Sequence, residues 1–172
     1  MNLAVSALRE GKLVAFSTET VYGLGADATN DQAVARIFKL KGRPLFNPLI
    51  IHVSNEDQAK KMVAWNDVAK KLADSFWPGP LTMVLPRQPN CNISYLASAG
   101  LDSLAVRAPD HNLAQQLLKY VELPIAAPSA NKFGYISPTT ALHVDKEFGP
   151  EPSFILDGGP CQIGLESTVI DL

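Results

Sequence analysis

The sequence predicts an α/β (α+β) fold, a mixed sheet flanked by helices, and three observations carry that expectation. Short apolar runs such as Leu13–Phe16, Leu49–Val53 and Leu81–Leu85 have the length of buried strands. Between them lie segments whose apolar residues recur at helical spacing. Breakers separate the two kinds of segment: 13 prolines and 11 glycines in 172 residues foretell a loop-rich chain.

Taken in order, Asn2–Glu10 reads as a short helix stopped by Gly11, and Leu13–Phe16 as a buried strand. A run of hydroxyls, Ser17-Thr18-Glu19-Thr20, leads into Val21-Tyr22-Gly23-Leu24-Gly25. Asn30 is a good N-cap for a helix over Asp31–Leu40, whose Val34, Ile37 and Phe38 share one face. The loop Lys39–Pro48 then places three cations within five residues, shaped by Gly42, Pro44 and Pro48. A positive, shaped loop of this kind suits a polyanion such as a nucleoside triphosphate, although an ordinary solvated basic turn has the same composition. Leu49–Val53 is the next strand. Asn55 and Asn66 cap two further helices, reaching Val63 and Phe76, the second with Val68, Leu72 and Phe76 at i, i+4, i+8.

Trp77-Pro78-Gly79-Pro80 ends that helix, and Leu81–Leu85 is a strand. Arg87–Gly100 is polar and irregular, and the expectation is a mobile loop. Leu104–Val106 forms a short strand ending at Arg107, His111–Tyr120 a helix and Ile125–Ala127 a strand that runs into Pro128-Ser129-Ala130-Asn131. Ser137 with Pro138 resembles a capped helix start. Phe154–Asp157 and Thr168–Asp171 are late strands, separated by Gly158-Gly159. No internal repeat or low-complexity segment is present.

Composition narrows the function classes. A hydrophobic content of 47% with 19% charged residues belongs to a globular chain. The net charge of −2, from 15 Lys+Arg against 17 Asp+Glu, argues against a protein that coats nucleic acid. Two cysteines, Cys91 and Cys161, make neither a disulfide framework nor a metal cluster. No apolar run approaches the ~20 residues that cross a bilayer, and Arg9, Glu10 and Lys12 spoil a secretory signal, so the expected location is cytoplasmic and no membrane partner is expected.

Polar clusters fall at the ends of expected strands: Ser17–Thr20, His52, Arg107, Ser129–Asn131 and Ser167-Thr168. Loops at strand ends gather ligands in sheet proteins, and this set suits a small carboxylate plus a phosphate ester. Arg107 can grip a carboxylate through two parallel bonds. Each residue also has a plain structural reading: a satisfied strand histidine, a turn cap, an Asx turn at Ser129–Asn131, an ion pair at Arg107. Standard nucleotide motifs are missing. Gly23-Leu24-Gly25 lacks the third glycine of a dinucleotide loop, no glycine-rich loop ends in Lys-Ser or Lys-Thr, and Ser129 lacks the glycines of a nucleophile elbow.

Seven motifs in order nevertheless resemble the YrdC family, whose members are threonylcarbamoyl-AMP synthases. They are Ser-Thr-Glu-Thr-Val-Tyr-Gly-Leu-Gly at 17–25, Lys-Gly-Arg-Pro at 41–44, Asn-Pro-Leu at 47–49 and Trp-Pro-Gly-Pro-Leu-Thr at 77–82. Val-Arg-Ala-Pro at 106–109, Pro-Ser-Ala-Asn at 128–131 and Glu-Ser-Thr-Val-Ile-Asp at 166–171 complete the set, which covers nearly the whole chain. The resemblance implies a twisted open mixed sheet with a large concave cavity. It implies a nucleotidyltransferase that converts L-threonine, bicarbonate (or CO2) and ATP into threonylcarbamoyl-AMP and pyrophosphate. It also implies a downstream transferase machinery that modifies the tRNA adenosine beside the anticodon.

Carried over by position, the resemblance implies a threonine pocket of Thr20, His52, Arg107, the backbone at Ala127, and Ser167. It implies a nucleotide site of Lys41, Arg43, Asn47, Ser103, Ser129, Asn131 and Ser137, with Lys41 and Arg43 as the catalytic cations that stabilise departing pyrophosphate. Mg2+ is implied with ATP, bridging phosphates through substrate and water ligands, with no protein side chain assigned as a metal ligand. The chemistry the resemblance implies is carbamate formation on the threonine amine, then attack of a carbamate oxygen on the α-phosphate, and no residue stands out as general base.

Two departures qualify the match. The chain stops at Leu172, directly after the last motif, where family members continue. The expectation is a single YrdC-like domain over 1–172 that lacks its C-terminal end, with no second domain present. Ser17 stands where a proline is common, with little consequence expected. The alternative reading is a double-stranded RNA or tRNA-binding module of the same fold using Lys39, Lys41 and Arg43, and weak RNA binding would also be compatible with the enzyme.

Overall fold

Glycine 42 marks how local chemistry sets the architecture. Asn30 accepts hydrogen bonds from the Gln32 and Ala33 amides and starts helix α2, Asp31–Lys41. Gly42 ends it with φ 60°, a left-handed conformation that turns the chain sharply toward the next strand. The computed structural model describes residues 1–172. In chain order its elements are α1 Asn2–Arg9, β1 Val14–Phe16, β2 Gly23–Asp27, α2, β3 Ile50–His52, α3 Glu56–Lys60 and α4 Asp67–Phe76. There follow β4 Leu81–Pro86, β5 Ser103–Arg107, α5 Asn112–Val121, β6 Ile125–Ala126, α6 Ala141–Phe148, β7 Phe154–Leu156 and β8 Thr168–Asp171.

The strands form one eight-stranded mixed sheet in the order β7-β1-β2-β6-β3-β5-β4-β8. The pairs β1/β7, β3/β5 and β4/β8 are parallel, and the other four are antiparallel. Side chains alternate across each strand, so every strand serves two layers. Ala15, Leu24, Ile51 and Val106 join the larger core beneath α2, α4 and α6. Val14, Phe16 and Ile125 face the other way and pack against α1 and α5. Those two helices cover only part of their face, and the sheet beyond them lines a cavity. No helix is long and apolar enough to cross a membrane.

Several sequence expectations need correction. β2 is a strand although its sequence, Gly-Leu-Gly-Ala-Asp, carries little strand propensity. A Cβ at Gly25 would lie 2.8 Å from Phe16 Cε1 and 2.9 Å from Ile125 Cγ2, so the glycine is what lets the neighbouring side chains close over it. Helix α6 starts at Thr140, whose hydroxyl accepts from the His143 amide, and Ser137 is not its cap. The stripe Val68, Leu72, Phe76 is not the buried face of α4: Ala69 and Ala73 are buried, whereas Val68 and Phe76 are exposed. Small residues allow α4 to approach the core closely; Leu72 packs against its margin, and Val68 and Phe76 are left outside. Arg87–Gly100 is not a loose loop. Ile93 and Ala97 are buried in the main core, and the Arg87 guanidinium binds Ile93 O and Ser98 Oγ while lying 4.1 Å over the Tyr95 ring.

Candidate functional site

Three neighbouring strands build the floor of a cavity of about 320 Å3. In the parallel register Ile50 faces Ala105 and His52 faces Arg107, and Val84 of β4 lies opposite Ala105. All five line the cavity, as alternation on adjacent strands requires. The turn after β1 brings Thr18 and Thr20 to the same space, and the segment after β6 brings Ala127 and Ser129.

Thr18 shapes its turn from within. Its hydroxyl donates to Val21 O at 2.6 Å and accepts from the Thr20 and Val21 amides, both at 3.2 Å. Thr20 Oγ1 is thereby held where Arg107 Nη1 donates to it at 3.0 Å. Arg107 is buried, and its Nε donates to Gly79 O at 3.2 Å. Its Nη2 stands 2.6 Å from Glu19 Oε1, a buried ion pair. Arg107 therefore combines both roles open to it in the sequence, a cavity-lining cation and one half of an ion pair.

His52 is also buried, with its ring edge-on to Phe16 at a centroid distance of 6.0 Å. Burial, followed by the charge of Arg107, pushes its pKa down to about 3, so the imidazole is neutral near pH 7. Its Nδ1 has no hydrogen-bond partner within the protein. Ala127 lines the cavity with its amide already donated to Ile50 O at 2.9 Å, which leaves the carbonyl as its available backbone group.

The basic loop differs from its sequence picture. Lys41 is the last residue of α2 and is buried, with Nζ donating to Ser129 O at 2.6 Å and to Asn131 O. It does not line the cavity but ties the Ser129–Asn131 turn to α2. Burial first, then repulsion from Arg43, lowers its pKa to about 8, against the pull of Glu166 and Glu147. Arg43 does line the cavity. The loop folds around its guanidinium: Nη2 donates to Asn47 Oδ1 at 2.7 Å and Pro48 O at 2.9 Å, and Nε to Asn47 O at 3.1 Å. Burial lowers the Arg43 pKa and Glu166 opposes the shift. Of the three cations behind the RNA-binding alternative, Lys39 is exposed, Arg43 half-buried and Lys41 buried, so they do not form one solvent-facing basic surface.

Thr20, His52, Arg107, Ala127, Arg43 and Ser129 thus meet in one cavity. Asn47 stands behind Arg43. Asn131 donates to Lys132 O and Tyr135 O, both at 2.8 Å, and lines an adjacent cavity of about 360 Å3 with Ser137. Ser137 donates to Glu166 Oε1 at 2.6 Å, and Ser167 exchanges a 2.7 Å hydrogen bond with Thr82. Ser103 continues the alternation of Ala105 and Arg107 on the same sheet face but is outside the cavity lining. Sequence reasoning named Thr18 and Glu19 only within the Ser17–Thr20 cluster and gave them no separate role, and it missed Glu166 and the apolar wall of Val84, Ala105 and Val169. A signal existed for the first three, since each sits inside a motif already singled out. Ser17 is fully buried with no hydrogen-bond partner for its hydroxyl.

A strap crosses the hydroxyl motif. Tyr22 Oη lies 2.9 Å from Asp157 Oδ1 and 2.8 Å from Gly159 O, and the Ile163 and Gly164 amides donate to Glu19 O and Thr20 O at 2.9 and 3.0 Å. The strap delivers Glu166 and β8, whose Val169 closes the cavity wall. No three His, Cys, Asp or Glu side chains converge to hold a metal ion.

Comparison with known proteins gives a consistent result. The model of the Sua5/YciO/YrdC family, described as Telomere recombination, matches residues 6–172. Threonylcarbamoyl-AMP synthase of Pyrococcus abyssi is 51% identical over 173 residues, an alignment covering 100% of this chain and 50% of that protein. The Bacillus subtilis protein of the same name is 49% identical over 168 residues, covering 97% and 48%. The crystal structure of P. abyssi Sua5 complexed with L-threonine superposes with a TM-score of 0.96 at 51% identity, over 99% of this chain and 50% of that one. The chain spans about half the length of these relatives.

Proposed function

Since the chain belongs to the Sua5/YciO/YrdC family, we propose that it works as a threonylcarbamoyl-AMP synthase, a nucleotidyltransferase acting on L-threonine, bicarbonate or CO2, and ATP. The observation that carries the reading is the convergence of Arg107, Thr20 and neutral His52 with Arg43 and Ser129 in one cavity. An amino-acid carboxylate is suited to Arg107, with Thr20 as a neighbouring hydroxyl. His52, uncharged, adds a hydrogen-bonding group without repelling a substrate ammonium. Ser167 and the Ala127 carbonyl complete the proposed threonine contacts.

The ammonium first gives up a proton to solvent; the freed amine nitrogen then bonds to the carbon of CO2 and releases a second proton to solvent, giving a carbamate anion. A carbamate oxygen then bonds to the α-phosphorus as the bridging oxygen leaves with pyrophosphate. Arg43 meets the growing negative charge, and its guanidinium is held in place by Asn47 before the substrate arrives. Lys41 acts from behind the Ser129–Asn131 turn, holding it and adding positive charge. Asn131, Ser103 and Ser137 complete the proposed nucleotide side. Mg2+ enters on the ATP phosphates as part of the substrate. In this reading the enzyme is cytoplasmic, and its product passes to a tRNA-modifying transferase.

The test is pyrophosphate release with ATP, Mg2+ and bicarbonate, with and without L-threonine. Release is expected to require threonine. Arg43→Ala should lower kcat/KM for ATP by about 10²-fold while threonine affinity changes by less than about threefold. Release that ignores threonine would sink the proposal.

A further inference from the structure

Glu19 takes no part in that chemistry, yet it is the acid in contact with Arg107. Both are almost fully enclosed, 4% and 3% exposed. Their 2.6 Å contact lacks the alignment of a hydrogen bond, and neither Glu19 oxygen nor Arg107 Nη2 has a hydrogen-bond partner. An ionised carboxylate accepts several hydrogen bonds, so burying it without a hydrogen-bond donor from the protein is costly. The structure keeps it there regardless. Its carbonyl is fixed by the Ile163 amide, and its neighbours Thr18 and Thr20 are fixed by their own hydroxyl network.

Glu19 does not line the cavity. It acts on a ligand only through its field and through Arg107, whose Nε and Nη1 are occupied by Gly79 O and Thr20 Oγ1. A lone buried guanidinium would favour a ligand of charge −1 and repel an ammonium held close to it. The paired carboxylate cancels that preference and leaves the pocket floor neutral overall.

We propose that Glu19 is a specificity-determining residue, which makes the pocket select a net-neutral amino-acid zwitterion over an anionic hydroxy acid of the same shape. The inference rests on reading Arg107 as the anchor of the amino-acid carboxylate. Calorimetric titration tests it with two probes, L-threonine and the 2,3-dihydroxybutanoate of matching configuration, in which hydroxyl replaces ammonium. Wild-type protein should bind threonine more tightly; preference for the hydroxy acid overturns the inference without any variant. Glu19→Gln keeps the shape and removes the charge, and should cut the threonine preference by about tenfold. Glu19→Asp retains the charge and should keep the preference within about threefold of wild type. If Glu19→Gln weakens both ligands by the same factor, Glu19 is only structural and the inference fails while the synthase reading stands. If wild-type protein binds neither probe, the amino-acid reading falls and takes this inference with it.

Discussion

His52 and Lys41 are single side chains whose burial sets a pH window. Folded, His52 has a pKa of about 3, against an ordinary value of 6.5. Between those values the unfolded chain binds a proton that the folded chain does not, so stability rises with pH across the window. That contribution is whole above 6.5 and is lost as pH falls toward 3. Denaturant midpoints taken from pH 7 down to pH 4 should show acid destabilisation, and His52→Gln should flatten it by up to about 1.4 kcal/mol per pH unit. An unchanged slope would contradict the assignment. Lys41 has the opposite consequence for activity. With a pKa near 8 it sheds its charge well before an ordinary lysine at 10.5, so pyrophosphate release should decline as pH rises through about 8. A profile flat to the ordinary lysine range would separate Lys41 from the chemistry.

At the scale of elements, the clearest prediction concerns β2. Gly25→Ala pushes a methyl against Phe16 and Ile125, both fully buried, and should cost about 1–3 kcal/mol in denaturant stability, with less if Phe16 can turn aside. The same strand shows why parts of the fold were hidden from the sequence. Helices α2, α3 and α4 were legible because their caps Asn30, Asn55 and Asn66 act on amides two or three residues away. β2 owes its conformation to β1 on one side and β6 on the other, partners that no window around Gly23–Asp27 contains. Ser137 misled for a related reason, since its hydroxyl is taken by Glu166 and Thr140 caps the helix. Among site residues, Arg107, His52 and Thr20 could be read from motifs at strand ends. The inward turn of Lys41 could not, because it depends on carbonyls some ninety positions later.

For the molecule as a whole, the strap from Asp157 to Ser167 joins the hydroxyl motif to the sheet edge. Tyr22→Phe removes its anchor at Asp157 and Gly159, and should cost about 1–2 kcal/mol. Amide hydrogen exchange should quicken at Ile163 and Gly164 before it does at α5; equal protection in both would mean that the strap is held by other contacts. The strap also orders events in time. Thr20 is synthesised early and Glu166 late, and at about 5–20 residues per second the interval is on the order of ten seconds. Throughout it the ribosome displays a motif whose covering strand does not yet exist. A nascent chain that has not yet reached β8 therefore lacks Glu166 and Val169, two residues of the cavity lining.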